Sequence, residues 1–331
     1  MVPVKQVKGL GLCSGGLDSI LAALVLRDQG VDVCWVAFET PFFTADKARK
    51  ASINNGIPII VKNITDRFLP MLKNPACGYG KNMNPCMDCH ALMFRIAGEM
   101  MVETESDFLF SGEVRGQRPM SQNKNSMRYV EKNSGFDGYI LRPLSAKVLP
   151  ETPMERDGRV DRERLCDLSG RSRKPQMALA EKFGVRDYPA PAGGCLLTDE
   201  GYSARLKDLF DHQENIETVE MDFLMYGRHL RLDGKIKIIV GRNNKDNENL
   251  LRLYRQDCDI LLKMKSFPGP VVLILNGCGI GGVEQAASIC AGYSKTLEYD
   301  PVEVCVISPE GQKEITVTPI PSSEVQDLLI P

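Results

Sequence analysis

Two stretches of this 331-residue chain combine residue types and spacings that chemistry could use. In SGGLDS (residues 14–19) two glycines and an aspartate follow a short apolar run. Gly15 and Gly16 let the backbone bend closely around an anion. The helix expected from Leu17 aims unpaired N–H groups and the positive end of its dipole at the same place. Phosphate binding is the chemistry indicated, although the loop lacks the lysine of the commonest nucleotide-binding loop. The second stretch is NPCMDCH (84–90), which sets Cys86 and Cys89 one turn apart where a helix begins, and it is joined by Cys195 in the glycine turn AGGCLLTDE (192–200). Thiols at a helix start ionise more easily, which suits metal ligation or nucleophilic sulfur chemistry.

These groups need a frame, and the pattern of apolar residues supplies one. VKGLGLC (7–13) predicts a strand, LDSILAALVLRDQG (17–30) a helix ending at Gly30, and VDVCWVAFE (31–39) a second strand. TADKARKASINNG then reads as helix, IPIIVKNI as strand, residues 86–106 as helix, SDFLFSGE as a fourth strand and GYILRPLS (138–145) as a fifth. Such alternation predicts right-handed crossovers and an α/β fold with a doubly wound parallel sheet. Ligands of such sheets sit at the carboxyl ends of the strands. SGGLDS, FETPFF, SGEVRGQRPMSQ and SAKVLPETP would therefore share one crevice. Composition changes near DHQENIETVE, so the expected domains are 1–214 and 215–331. In the second, GRHLRLDGKIKIIVGRNNKDNENLL and PGPVVLILNG read as strands and turns, followed by a helix over GVEQAASICAGYSK and further strands, a smaller α+β domain.

Composition narrows the classes. A content of 43% apolar and 25% charged residues is that of a soluble globular protein. No apolar run is long enough to cross a bilayer and no signal-peptide pattern opens the chain, so a cytoplasmic protein without membrane partners is expected. The net charge of −2 excludes a uniformly basic nucleic-acid binder. The charge is uneven, however: residues 1–199 hold 27 Lys and Arg against 23 Asp and Glu, and the remainder 14 against 20. Any nucleic-acid surface must be local. The eleven cysteines are odd in number and irregularly spaced, unlike a secreted disulfide framework. Cys34, Cys166, Cys258, Cys278, Cys290 and Cys305 lie in apolar or amphipathic runs and read as buried free thiols, and Cys13 as a packed one.

The string SGGLDS resembles the loop of the PP-loop ATP pyrophosphatases, whose sheet is HUP-like and which cleave ATP between its α- and β-phosphates. The resemblance implies that Ser14, Gly15, Gly16, Asp18 and Ser19 hold ATP, with Asp18 on Mg²⁺, and that Phe38 and Gly112 complete the nucleotide site. Where the γ-phosphate is not the group transferred, the missing lysine is not demanded. Together, SGGLDS, NPCxxC and GGC resemble the tRNA sulfurtransferases of this class, the 2-thiouridylases and 4-thiouridine synthases. In cluster-dependent members, cysteines at the places of Cys86, Cys89 and Cys195 hold a [4Fe–4S] cluster with one iron open. Persulfide chemistry through two of the cysteines, a zinc site including His90, and purely structural thiols are the alternatives. Adjacent Cys89 and His90 project differently from a helix, so His90 reads as a solvated residue; Cys77 reads as a surface thiol. The resemblance to 4-thiouridine synthases begins at SGGLDS and takes in no part of the region that usually precedes their catalytic domain, so the modified position is expected to be either C2 or C4.

Arg115, Arg118, Lys124 and Arg128 lie on the loop after the fourth strand, which the resemblance implies contacts ATP or RNA, and Arg171, Arg173 and Lys174 form a second basic cluster in SGRSRKPQ suited to a phosphate backbone. KIIVGRNNKDNENLL, FPGPVVLIL and EQAASICAGYSK resemble the RNA-binding domain of the NFACT family over roughly residues 225–320, and residues 228–265 carry ten Lys and Arg against five Asp and Glu. The expected function is ATP-dependent thiolation of a tRNA uridine, with Asp18, Cys86, Cys89 and Cys195 as its catalytic residues. Sulfide or a sulfur-donor protein is the expected co-substrate, and a homodimer is compatible with the chain. The competing functions are a PP-loop amide-forming ligase and a non-catalytic RNA-binding protein with structural zinc.

Overall fold

The computed structural model of the protein describes residues 6–118, 120–190, 194–295 and 301–331. Contacts divide the chain into two units, one ending at Thr198 and the other beginning at Asp199.

The first unit runs β1 (Lys8–Leu12), α1 (Leu17–Arg27), β2 (Asp32–Glu39), α2 (Asp46–Asn55), β3 (Ile59–Asn63), α3 (Thr65–Lys73), α4 (Cys86–Glu103), β4 (Phe108–Ser111), α5 (Lys124–Ser134), β5 (Ile140–Leu141), α6 (Pro153–Arg156) and α7 (Lys174–Lys182). Its five strands are parallel in the order β3-β2-β1-β4-β5, the doubly wound sheet expected of an α/β, HUP-like fold. The chain winds outward from β1 through β2 and β3, then crosses to β4 and β5, so the winding reverses between β1 and β4, the place where ligands of such sheets bind. Gly11 pairs with Phe110, and a Cβ there would stand 2.2 Å from that ring; the glycines of β1 make room for the aromatic side chains of β4. Nearly every residue of α1 is buried, because it is covered by the sheet and by α7. The fifth strand is much shorter than the span 138–145. Pro143 cannot extend the ladder, and a turn closed by Ser145 N–H donating to Arg142 C=O (2.9 Å) follows at once.

The second unit comprises α8 (Glu200–His212), α9 (Thr218–Phe223), β6 (Arg228–Leu232), β7 (Ile236–Val240), α10 (Asn244–Leu253), β8 (Ile260–Met264), β9 (Val272–Ile274), α11 (Ile280–Gly292), β10 (Val302–Ser308), β11 (Gly311–Val317) and β12 (Leu329–Ile330). The sheet is antiparallel in the order β11-β10-β8-β9-β7-β6-β12. Both of its faces are covered. Ile238 and Val240 join Leu262, Ile274 and the α11 residues Ala286 and Ile289 in one core, while Ile239 joins Phe223, Leu250 and Leu273 in another. This smaller α+β unit begins before the boundary expected after residue 214. The reason is α8: Tyr202 Oη donates to Met221 C=O (3.2 Å), Arg205 Nη1 to Leu224 C=O (2.6 Å), and Asp208 pairs with Arg231 and Lys237. The Asn-rich segment read as turns forms α10, since the Asn243 side chain accepts from Asp246 N–H (2.9 Å) and caps it while Leu250 is buried. Among the described residues no helix is long and apolar enough to cross a membrane.

Candidate active site

Gly15 has φ +72°, and a Cβ there would lie 2.2 Å from the Lys47 carbonyl carbon, so the phosphate loop is pressed against the start of α2 in a conformation suited to glycine. Ser19 Oγ donates to Gly16 C=O (2.8 Å), and Gly16 N–H approaches Ser14 Oγ (3.4 Å). Asp18 stands in the first turn of α1. Gln117 Nε2, from the loop after β4, donates to its Oδ2 (3.0 Å), while its Oδ1 is buried without a partner. Burial pushes the carboxyl above its usual range, opposed by the Gln117 hydrogen bond and by the charges of Arg173 and Arg118. An unpaired buried carboxylate oxygen fits a hard divalent cation such as Mg²⁺. Gly112 is required here for closeness, because a Cβ would fall 2.3 Å from the Asp18 carbonyl carbon. Phe38 is buried near the carboxyl end of β2. Cys13 is packed beneath the loop, where burial raises its thiol to about 11.

Cys86 opens α4 and Cys89 follows one turn later. Cys195 is reached from the far end of the unit through a chain of bonds. Leu196 N–H donates to Phe42 C=O (2.9 Å), Thr198 Oγ1 to Cys195 C=O (2.7 Å), and Asn82 Nδ2 to Thr198 C=O (2.7 Å). The thiols feel one another: burial raises Cys89 well above its ordinary value, and Cys195, Cys86 and Asp88 raise it further. Cys195 is raised to about 11 by burial, with Cys86 adding to it. All the cysteines are free. Three thiols without a disulfide are the donor set that a soft iron–sulfur cluster takes. Among the described residues, however, no group of three or more His, Cys, Asp or Glu stands in a metal-ligating arrangement. Of the six cysteines expected in the core only Cys290 is fully buried; Cys34, Cys166, Cys258, Cys278 and Cys305 are half-buried, as amphipathic strand and turn positions allow.

Several site residues are invisible to sequence patterns. His90 is not a solvated helix residue. Its Nδ1 meets Glu113 Oε1 (3.0 Å), and Glu113 Oε2 accepts from Ser111 Oγ (3.1 Å) and Arg142 Nε (2.9 Å). Arg142, itself buried, also pairs with Glu131. Burial pushes the Glu113 carboxyl up, but the Arg142 charge and the His90 bond outweigh it and hold the group at about 2. Asp88, between the two cysteines of α4, accepts from Cys77 N–H (2.8 Å) and Tyr129 Oη (2.8 Å), so the exposed Cys77 is tethered beside the cysteine helix. Residues of α2 meet Asp187 and Gly194. Lys50 pairs with Asp187 (2.9 Å), Asn54 Nδ2 donates to the same carboxylate (3.1 Å), and Lys47 Nζ is 3.9 Å from where a Cβ of Gly194 would be.

The basic residues divide. Arg115 donates to Val148 C=O (3.1 Å) and bridges to Ser169, bracing the loop; Arg128 is paired with Asp137 and Glu131. Arg118, Lys124, Arg171 and Lys174 are exposed. Arg173 is half-buried and its Nε is buried without a partner.

The first unit is thus a doubly wound parallel sheet with the SGGLDS loop after its first strand and free thiols at Cys86, Cys89 and Cys195. Residues 227–329 of the second unit match the family described as "NFACT protein RNA binding domain". The chain is similar to the "Probable tRNA sulfurtransferase" of Alkaliphilus oremlandii, 31% identical over 146 residues (42% of this chain, 36% of the relative). It is similar also to that of Ureaplasma parvum serovar 3, 29% identical over 151 residues (42% and 37%). The "tRNA-specific 2-thiouridylase MnmA 2" of Thermoanaerobacter sp. is 26% identical over 217 residues (59% and 56%). The chain therefore spans between 36% and 56% of the length of these relatives. The solved "4-thiouridine synthetase - RNA complex with bound ATP" aligns at 19% identity over 54% of this chain and 52% of that one, with a TM-score of 0.34 that carries no further argument.

Proposed function

We propose that this protein thiolates a uridine of tRNA in two steps, adenylation of a base carbonyl followed by attack of sulfide. A uridine carbonyl oxygen is a poor leaving group. In the first step that oxygen attacks the α-phosphate of ATP and pyrophosphate departs; in the second a C–S bond forms, the C–O bond breaks, and the oxygen leaves on AMP as the sulfur gives up its proton. Backbone N–H groups of the loop around Ser14, Gly15, Gly16 and Ser19 receive the phosphates, and Asp18 holds Mg²⁺, with Phe38 and Gly112 shaping the nucleotide site. Cys86, Cys89 and Cys195 would hold a [4Fe–4S] cluster, which when bound supplies an open iron position for hydrosulfide. The target base is swung out of its stack to reach the crevice, and the exposed Arg118, Lys124, Arg171 and Lys174, with the NFACT-type unit, meet the RNA backbone.

The observation that carries this reading is the occurrence in one unit of a glycine loop with an unpaired buried aspartate oxygen and of three free thiols at Cys86, Cys89 and Cys195. Amide-forming ligation gives those thiols nothing to do. The test is protein purified without oxygen and supplied with tRNA, ATP and sulfide. Pyrophosphate release and thionucleosides detected by mass are expected together; release without thiolation, persisting when all three cysteines are replaced, would favour the ligase.

A further inference from the structure

The phosphate loop lacks its own lysine, yet pyrophosphate leaving ATP carries charge that some cation must meet. The structure offers one in an unexpected place. Immediately before α7 stands Arg173, and two residues into the helix Gln176, only 1% exposed. Gln176 Nε2 reaches Gln117 Oε1 (3.4 Å), and Gln117 Nε2 donates to Asp18 Oδ2 (3.0 Å). Three polar atoms are left over around this chain of bonds: Asp18 Oδ1, Gln176 Oε1 and Arg173 Nε, all buried without partners. α7 packs against α1, the helix that follows the loop, so these atoms are held in place by core contacts.

Buried polar atoms without partners cost stability, and a cluster of them beside a phosphate loop marks groups that a ligand completes. The leftovers have complementary chemistry. A guanidinium N–H needs an acceptor, which a phosphate oxygen is; two oxygen acceptors need a cation or its water ligands, which hydrated Mg²⁺ provides. We propose that Arg173 is a phosphate-binding residue of the nucleotide site, and that Gln176 and Gln117 are positioning residues that hold Asp18 for the metal. Arg173 thereby leaves the RNA surface to which its basic neighbours belong. The charge it already exerts on Asp18 agrees with this placement. The inference rests on the reading of the loop as an ATP site.

The experiment measures binding of inorganic pyrophosphate and ATP by titration calorimetry, with and without Mg²⁺ and in the absence of RNA, to the full chain. Arg173→Met should weaken pyrophosphate about 10- to 100-fold, the scale of a lost charge-assisted phosphate contact, and Arg173→Lys should restore part of it. Gln176→Ala should weaken binding when Mg²⁺ is present and leave metal-free binding unchanged, a dependence that loss of packing alone would not produce. Affinity for tRNA without nucleotide should be unaltered by Arg173→Met and lowered by Arg171→Ala. Unchanged pyrophosphate affinity in both Arg173 variants, or lost tRNA affinity with pyrophosphate binding intact, overturns the assignment. Wild-type protein that binds neither ATP nor pyrophosphate would bring down the ATP reading itself, a result distinct from either. Should Arg173→Met unfold, Arg173→Lys decides alone: full wild-type affinity for tRNA with pyrophosphate binding reduced supports the proposal, and pyrophosphate binding unchanged refutes it.

Discussion

The two units bury charge in different ways. In the second, buried or half-buried charges are matched within the unit: Asp208 takes Arg231 and Lys237, Arg255 takes Asp259, and Arg242 takes Asp246. Two buried side-chain atoms are orphaned there among the described residues, Gln213 Oε1 and His229 Nδ1. In the first unit six are orphaned among the described residues, and three of the six, on Asp18, Arg173 and Gln176, belong to one group around Asp18. Self-matched charge serves the fold, whereas charge left open at a strand end is available to a substrate. The contrast agrees with the proposed division, chemistry at the parallel sheet and recognition at the antiparallel one.

The contrast can be broken most severely at Asp18. Asp18→Ala should reduce tRNA-dependent pyrophosphate release by at least about 100-fold while thermal unfolding stays near that of the parent, because a metal-positioning carboxylate is lost and no core packing. Near-native release would place the chemistry elsewhere. Next in size are the thiols. Replacing Cys86, Cys89 or Cys195 with alanine should abolish bound iron in anaerobically purified protein, while Cys77→Ala, outside the trio, should keep it; colour and metal analysis decide, and stoichiometric zinc in the parent would refute the cluster.

In the second unit the expected loss is of stability. Asp208→Ala strands the buried Lys237 and should cost about 3–5 kcal/mol in denaturant unfolding of that unit, leaving pyrophosphate binding by the first intact. The first unit also matches buried carboxylates internally, Glu155 with Arg162 and, through Arg142, Glu113. The folded-state pKa of Glu113 is depressed to about 2, so its contribution to stability is complete above the ordinary carboxyl value and fades as pH falls from about 4.5 toward 2. Glu113→Gln should flatten the acid limb of the stability profile in that window; an unchanged limb would mean that the Arg142 pair contributes nothing. The smallest effect belongs to the surface: Arg171→Ala and Lys174→Ala should each lower the slope of log affinity for tRNA against log salt by about 1, and Arg128→Ala, whose guanidinium is paired, should not.

What the sequence revealed follows a physical line. The glycine turn after β1, α1 and the strands of the parallel sheet were legible because each depends on neighbours within a few residues: glycines that permit a turn, apolar spacing that selects a helix, β-branched runs that select strands. The pairing of His90 with Glu113 and the chain from Asp18 through Gln117 to Gln176 join residues that no local pattern links. Glu113 did leave a trace, an acid two residues after a fully buried strand. The α10 segment failed for the opposite reason. Its asparagines resemble a turn, and one of them is the cap of a helix whose stability comes from burying Leu250.

The bond from Asn82 to Thr198 spans 116 positions in the chain. In polymer terms it closes a long loop, so nothing rewards its formation until the intervening strands have paired. During synthesis Cys86 and Cys89 emerge early and must wait, exposed as a bare pair, until the chain beyond Thr198 has left the ribosome. The third thiol is therefore a late arrival, and its docking reports that the sheet beneath it is complete.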